Sequence, residues 1–303
     1  MRVAWLPVVV LGVAMAACAS TPPATVTPPS SATTAAEPQA ETAPVAPALP
    51  PPELGAGDPD FVPQVGQEGK DVVWVPTSPE LVEVMLDLAN VTPQDFVMDL
   101  GSGDGRNIIA AARRGARGLG VEYNPDMVAL SQRMAREAGV ADRARFIQGD
   151  MYVADISQAT VLALFLLPEN LLRLKDNFLA LRPGTRIVMN TFTLDGWEPA
   201  VTRRLEDGCS SWCNALLLIV PAKVDGRWRL DGAGLELSQE YEAVTGTIVR
   251  DGAQPVGVSG RIRADELTLT IDGRTYAGRV SGDRITGTVT EPSGATRAWT
   301  ATR

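Results

Sequence analysis

The 303-residue sequence predicts an α/β fold, a mostly parallel sheet flanked by helices, followed by a small antiparallel all-β domain. Two patterns carry this. Between residues 72 and 232, short apolar runs alternate with amphipathic segments over tight turns, as in strand–helix units whose sheet is covered on both faces. From residue 235 onward the period shortens to alternating apolar and polar positions broken by Gly and Asp, the mark of half-buried antiparallel strands. A third observation locates function: glycines 101, 103 and 105 follow directly on the first buried strand, where an open parallel sheet places its ligand.

The chain opens with Met1-Arg2 and an apolar run to residue 17, ending Met15-Ala16-Ala17-Cys18. Pro7 interrupts the run, which is short for a membrane span, so residues 1–18 are expected to be a lipoprotein-type signal peptide. Lipidation of Cys18 then anchors an exported protein at the periplasmic face of a bacterial envelope membrane, with Ala19 favouring the outer membrane. If the run is not a signal, the protein is cytoplasmic. Residues 19–60 are nearly all Pro, Ala, Thr, Ser and Glu, and form a disordered tether.

An α/β domain is expected over 61–232. Thr77-Ser78-Pro79-Glu80 caps a helix whose apolar positions Leu81, Val84, Met85 and Leu88 recur at helical spacing. Strands follow at 96–100, 118–122, 145–150, 160–166 and 186–192, with helices at 108–114, 125–139 and 168–181 between them. Segments 215–221 and 227–230, joined through Val224-Asp225-Gly226, are expected to close the sheet as an antiparallel hairpin. Residues 233–303 make a sandwich or partial barrel of six to eight strands, with turns at Asp265-Glu266, Asp272-Gly273 and Gly282-Asp283. That domain covers the first, binds a partner, or is purely structural.

Charge and composition narrow the chemistry. A formal net charge of -9 without a long Lys/Arg run argues against nucleic acid, which needs a concentrated positive footprint. The sequence has no His, which removes Ser-His-Asp, Cys-His and HExxH chemistry, and with so few Cys no metal site is expected. The glycine loop differs from G-x-G-x-x-G in that its third glycine comes one residue early, and Asp99 and Asp104 flank it. Two carboxylates repel a pyrophosphate; a ligand with an ammonium and a sulfonium reverses the sign. Glu122 ends the second strand, placed for ribose hydroxyls, and Asp150 with Met151 ends the third, placed for an adenine. The plain alternatives are that Asp99, Asp104 and Asp150 cap helices or turns and that Met151 is core.

Asp99-Leu100-Gly101-Ser102-Gly103-Asp104-Gly105-Arg106, with Val75-Pro76-Thr77 before it and Glu122-Tyr123-Asn124-Pro125 after it, resembles the bacterial, archaeal and mitochondrial protein-lysine methyltransferases of class I, over about residues 72–197. The resemblance implies a Rossmann-like, seven-stranded sheet and S-adenosyl-L-methionine as cofactor. It implies binding by Asp99, Gly101, Ser102, Gly103, Asp104, Gly105, Glu122, Tyr123, Asp150 and Met151. By the same likeness Asp99 and Gly101 hold the amino acid end, and Thr77 lies over the entrance. Where many amine methyltransferases carry Asn-Pro-Pro-Tyr, this chain reads Leu166-Leu167-Pro168-Glu169-Asn170, so acceptor contacts do not carry over. Thr77, Tyr123, Glu169 and Asn170 are the expected acceptor-channel residues, though Glu169 equally suits a helix first turn.

The expected activity is methyl transfer to an amine nitrogen, of a protein lysine or another amine. The alternative is an exported, non-catalytic module that keeps an adenosine-type pocket. Cys209 and Cys213, spaced by four, can form a disulfide in an oxidising compartment or remain buried thiols.

Overall fold

A computed structural model describes residues 48–51, 57, 58, 60–207, 209–250 and 252–303. The expected signal with Cys18, and most of the expected tether, lie outside the described residues. Among the described residues no helix is long and apolar enough to cross a membrane.

The α/β part is a seven-stranded sheet ordered β3-β2-β1-β4-β5-β7-β6. Its parallel strands are β1 (Phe96–Leu100), β2 (Arg117–Glu122), β3 (Ala144–Gln148), β4 (Val161–Leu164) and β5 (Arg186–Asn190). Helices α1 (Pro79–Leu88), α2 (Arg106–Arg113), α3 (Pro125–Glu137) and α4 (Pro168–Leu179) cover the two faces. Three of the four begin with proline in the first turn. Ser78 and Asn124 cap α1 and α3 by accepting the amides of Leu81 and Asp126.

Strand alternation sorts the core. Met98, Leu100, Leu162 and Leu164 face α4 with Leu171, Leu174 and Phe178, while Val97, Val161 and Ala163 face α1 and α2 with Leu81, Met85 and Ile108. The chain runs from β1 outward to β2 and β3, then crosses back to β4. The crevice at the carboxyl ends of β1 and β4 is therefore the topological switch point.

The expected closing hairpin is corrected. β7 (Asn214–Ile219) lies antiparallel between β5 and a short edge strand, β6 (Val201–Arg204), whereas β8 (Gly226–Leu230) leaves the sheet altogether. Trp228 and Leu230 alternate with exposed Arg227 and Arg229, so β8 has one apolar face, and that face is spent in the second module. All four residues of β6 are exposed, so no hydrophobic period announced it.

The second module is a closed antiparallel barrel. It comprises β8, β9 (Ala233–Glu240), β10 (Ala243–Val249), β11 (Val256–Arg263), β12 (Glu266–Ile271), β13 (Arg274–Ser281), β14 (Arg284–Thr290) and β15 (Thr296–Thr302). β15 pairs with β8 through Ala301↔Leu230, which removes the free edges a sandwich would have left. Trp228, Leu237, Ile262, Leu269, Tyr276 and Trp299 fill the interior. Strands approach so closely at Gly287 that a Cβ there would stand 1.9 Å from the Ala277 carbonyl oxygen. The barrel seats on the α/β layer through Tyr241, which stacks on Trp197 at 5.0 Å and 19°, and through the Ala222 amide, which donates to the Ala264 carbonyl at 2.6 Å.

Candidate active site

The glycine loop leaves β1 at the switch point. Gly101 takes φ +74°, and the amides of Gly101 and Ser102 donate to the Val121 carbonyl at 2.8 and 3.1 Å, folding the loop back over β2. Gly101 is favoured by its positive φ, whereas Gly103 and Gly105 are also required by space. At Gly101 a Cβ would point between Leu166 at 3.6 Å and Met151 Sδ at 4.0 Å, into the cleft. At Gly103 it would strike the Trp74 indole at 2.7 Å, and at Gly105 the Phe146 ring at 2.6 Å.

Negative charge is concentrated behind this loop. Asp99 is 3 % exposed and accepts from Asn107 Nδ2 at 3.0 Å. Burial, and then the neighbouring Glu122 and Asp104 carboxylates, push its carboxyl well above the usual range, against the pull of Asn107. Asp104 is neutralised by Arg106, whose Nε donates at 2.9 Å and whose guanidinium also donates to the Thr77 carbonyl. Glu122 accepts the amides of Gly103 and Asn124, both at 2.9 Å. Neither Asp99 nor Glu122 forms a salt bridge among the described residues. In the same α/β layer Ser102 Oγ, Asn107 Oδ1, Asn170 Oδ1 and Asn190 Oδ1 are buried without a hydrogen-bond partner.

In front of the loop lies a cleft of ≈ 730 Å³, open mouth included, lined by Gly101, Glu122, Tyr123, Asp150, Met151 and Phe165 among others. Residues 66–75 form a strap across it. The strap is a narrow loop closed by Gly66 N–H to Trp74 O and Trp74 N–H to Gln67 O, both 2.9 Å. Lys70 at its turn donates to Asp150 at 2.6 Å and lies 4.6 Å from the Tyr123 ring centroid. The Lys70 hydrogen bond, with the Tyr152 amide, holds the Asp150 carboxyl below its usual range.

The residues expected from the sequence divide accordingly. Gly101, Glu122, Tyr123, Asp150 and Met151 line one cleft. Asp99, Ser102, Gly103, Asp104 and Gly105 do not line the cleft: they end β1 and form the turn around Gly101, and Asp99 lies close enough to Glu122, which does line it, for the two carboxylates to repel each other. Thr77 is buried, its Oγ1 accepting from Asn190 Nδ2 at 3.2 Å. Asn170 is buried and donates to Tyr152 Oη at 2.7 Å. Glu169 is exposed in the first turn of α4, where the helix turns 170, 171 and 174 inward and 169, 172 and 173 outward. Lys70, Trp74, Phe165 and Asn190 were not anticipated. Only the Val75-Pro76-Thr77 element hinted that the preceding strap belongs to the site.

A ligand with positive groups fits this centre, since Asp99 and Glu122 have no counter-ion among the described residues; a phosphate does not. Comparison with known proteins agrees. Residues 99–201 match the family model of the ANTKMT methyltransferase domain. A protein-lysine N-methyltransferase of Saccharolobus islandicus is 39% identical over 140 residues, 45% of this chain and 87% of that one. The adenine nucleotide translocase lysine N-methyltransferase of Mus musculus is 35% identical over 130 residues, 42% of this chain and 56% of that protein, so the chain spans little more than half of the mouse relative. An RNA methyltransferase from Salinibacter ruber, solved in complex with S-adenosyl-L-homocysteine, is 44% identical, with 50% of this chain and 96% of that chain covered and a TM-score of 0.47. With that archaeal relative covered almost end to end, the chain belongs to the protein-lysine N-methyltransferase family of class I S-adenosylmethionine-dependent methyltransferases.

Proposed function

We propose that this methyltransferase acts on the side-chain amine of a protein lysine. The observation that carries the reading is the pair of carboxylates without counter-ions, Asp99 and Glu122, behind a glycine loop that is open to the cleft at Gly101. Asp99 and Gly101 would hold the amino acid end of the cofactor, Glu122 its ribose, and Asp150 with Met151 its adenine. Bound there, S-adenosylmethionine supplies a methyl carbon already activated by its sulfonium.

What the chain adds is alignment and exclusion of water. The strap over the cleft shields the donor site, and Thr77, fixed by Asn190 and Arg106, closes the side next to α1. An amine acceptor needs only a neutral lone pair, so a site without histidine suffices. The curated relatives act on lysines by name, and the net charge of -9 disfavours nucleic acid as the acceptor. The test is transfer of labelled methyl from S-adenosylmethionine to protein extracts, followed by acid hydrolysis. Methyl-lysine in the hydrolysate supports the reading, and cofactor binding without any methylated amine refutes it.

We also propose that the protein is exported and lipid-anchored through Cys18. The sequence pattern at 1–18 supports this, as does a disulfide between Cys209 and Cys213, whose Cα atoms are 5.8 Å apart, because such bonds persist in oxidising compartments. Export separates the enzyme from the cytoplasmic source of its cofactor, so turnover in place requires the cofactor to reach the periplasm. Feeding cells an alkyne fatty acid tests it: label should enter the wild type and be absent from C18A.

A further inference from the structure

Three aromatic side chains from three separate loops meet at the carboxyl edge of the sheet. Phe165 follows β4, Phe192 follows β5 and Trp212 precedes β7. The Phe165 and Phe192 rings are 6.2 Å apart and 14° from parallel; the Trp212 ring stands 6.0 Å from Phe165, tilted by 58°. Phe165 also lines the cofactor cleft, so the group is continuous with the place where a methyl donor binds.

Trp212 is 43 % exposed, an unusual position for a large apolar ring that already has partners. Both loops that carry the outer rings are held in backbone conformations L-residues rarely adopt. Thr191, just before Phe192, has φ +59°, and Trp212 itself has φ +55°. Thr191 is fixed by its amide on the Asn214 carbonyl at 2.7 Å, and Trp212 sits inside the five-residue loop closed by Cys209–Cys213. Asn190, beside this turn, is 2 % exposed, spends Nδ2 on Thr77 and leaves Oδ1 with no donor.

We propose that Phe165, Phe192 and Trp212 seat the alkylammonium chain of the acceptor, with the Cys209–Cys213 disulfide holding Trp212 in the seat. The proposal rests on the amine acceptor named above and specifies where that amine lies. Ring faces cover the apolar stem, and a cation within about 6 Å of a ring centroid is attracted by the π face. An apolar surround also favours the neutral amine that must attack. Because Trp212 is held by a covalent loop, acceptor binding depends on redox state. A dithiol reductant delivers two electrons and two protons, the S–S bond opens to two thiols, the dithiol becomes its own cyclic disulfide, and Trp212 is released.

The test uses the full-length protein saturated with S-adenosyl-L-homocysteine, with N-acetyl-lysine amide as the probe, N-acetyl-norleucine amide as the uncharged control, and ligand-observed NMR for binding. W212A and F192L should weaken the lysine probe at least tenfold while the affinity for S-adenosyl-L-homocysteine stays within twofold. Dithiothreitol should weaken the probe in the wild type and change nothing in C209S/C213S, which is weak from the start. If W212A misfolds on thermal melting, W212L and the reduced wild type decide instead. Lysine binding that survives both the Trp212 change and reduction overturns the proposal and leaves lysine methylation standing. A wild type that binds homocysteine cofactor product but neither binds nor methylates lysine overturns both. Equal binding of the norleucine control reduces the trio to a nonspecific apolar surface and also overturns it.

Discussion

In the barrel the buried indoles find carbonyls: Trp228 Nε1 donates to Val224 O at 2.7 Å and Trp299 Nε1 to Ala277 O at 3.1 Å. At the carboxyl edge of the α/β sheet the opposite holds. Asp99 is buried beside two further carboxylates, and Ser102, Asn107, Asn170 and Asn190 each keep a buried oxygen without a donor. In the barrel Glu242 Oε2 is the buried side-chain oxygen left without a partner among the described residues, against four such oxygens here. The unsatisfied edge is therefore a standing electrostatic cost of the kind that a cationic ligand relieves.

Breaking the barrel side of this contrast should have the largest effect. Gly287→Ala places a methyl against the Ala277 carbonyl and the Gly278 Cα, at 1.9 and 2.4 Å. Such overpacking costs about 3 kcal/mol or more, and should appear as a loss of soluble protein or a melting temperature lower by roughly 10 °C. An unchanged melt would show the barrel to be softer than its packing implies.

Asp99→Asn sharpens the other side. It should weaken S-adenosylmethionine binding by about two orders of magnitude in calorimetry, a loss expected for a charge-assisted contact, yet raise the melting temperature of the ligand-free protein by a few degrees above neutral pH. The sign follows from the raised carboxyl. Between the ordinary value of 3.8 and its higher folded value, the folded chain holds a proton that the unfolded chain has lost, so stability falls as pH rises through that window. Asparagine has no such slope. A cationic ligand drives that proton off, so affinity in the wild type should rise with pH and binding should release a proton, measurable in buffers of differing ionisation enthalpy.

Lys70→Ala should have a smaller effect. With the Lys70–Asp150 pair gone, cofactor affinity at low salt should rise about two- to fivefold and converge on the wild type as screening removes the pair. A weaker affinity would instead make Lys70 part of the grip on the cofactor. Glu169→Ala should change the methyl-transfer rate less than about twofold, as for other exposed positions outside the cleft.

The parallel sheet was legible because its strands are short buried runs such as residues 96–100 and 161–164, and the acids because they stand at or near the strand ends, Asp99 next to last in β1 and Glu122 last in β2. The edge of the sheet was not. β6 is exposed throughout, and the turn at Asp225-Gly226 reads as a hairpin whichever sheet β8 joins. Barrel closure depends on pairing Ala301 with Leu230, about seventy residues apart, for which no local signal exists. The strap escaped notice because residues 66–75 have no period at all, and Phe165, Phe192 and Trp212 become neighbours only through topology.

Tyr241 has a consequence for how the two modules can be separated. It is borne on the turn between β9 and β10, yet its ring belongs to the same apolar cluster as Leu194, Trp197 and Val220 of the α/β layer. Cutting the chain near residue 221 would draw a peg from its socket and leave an indole facing water. A shortened enzyme would therefore need a polar replacement at Trp197, and heating the intact protein should melt sheet and barrel in one transition.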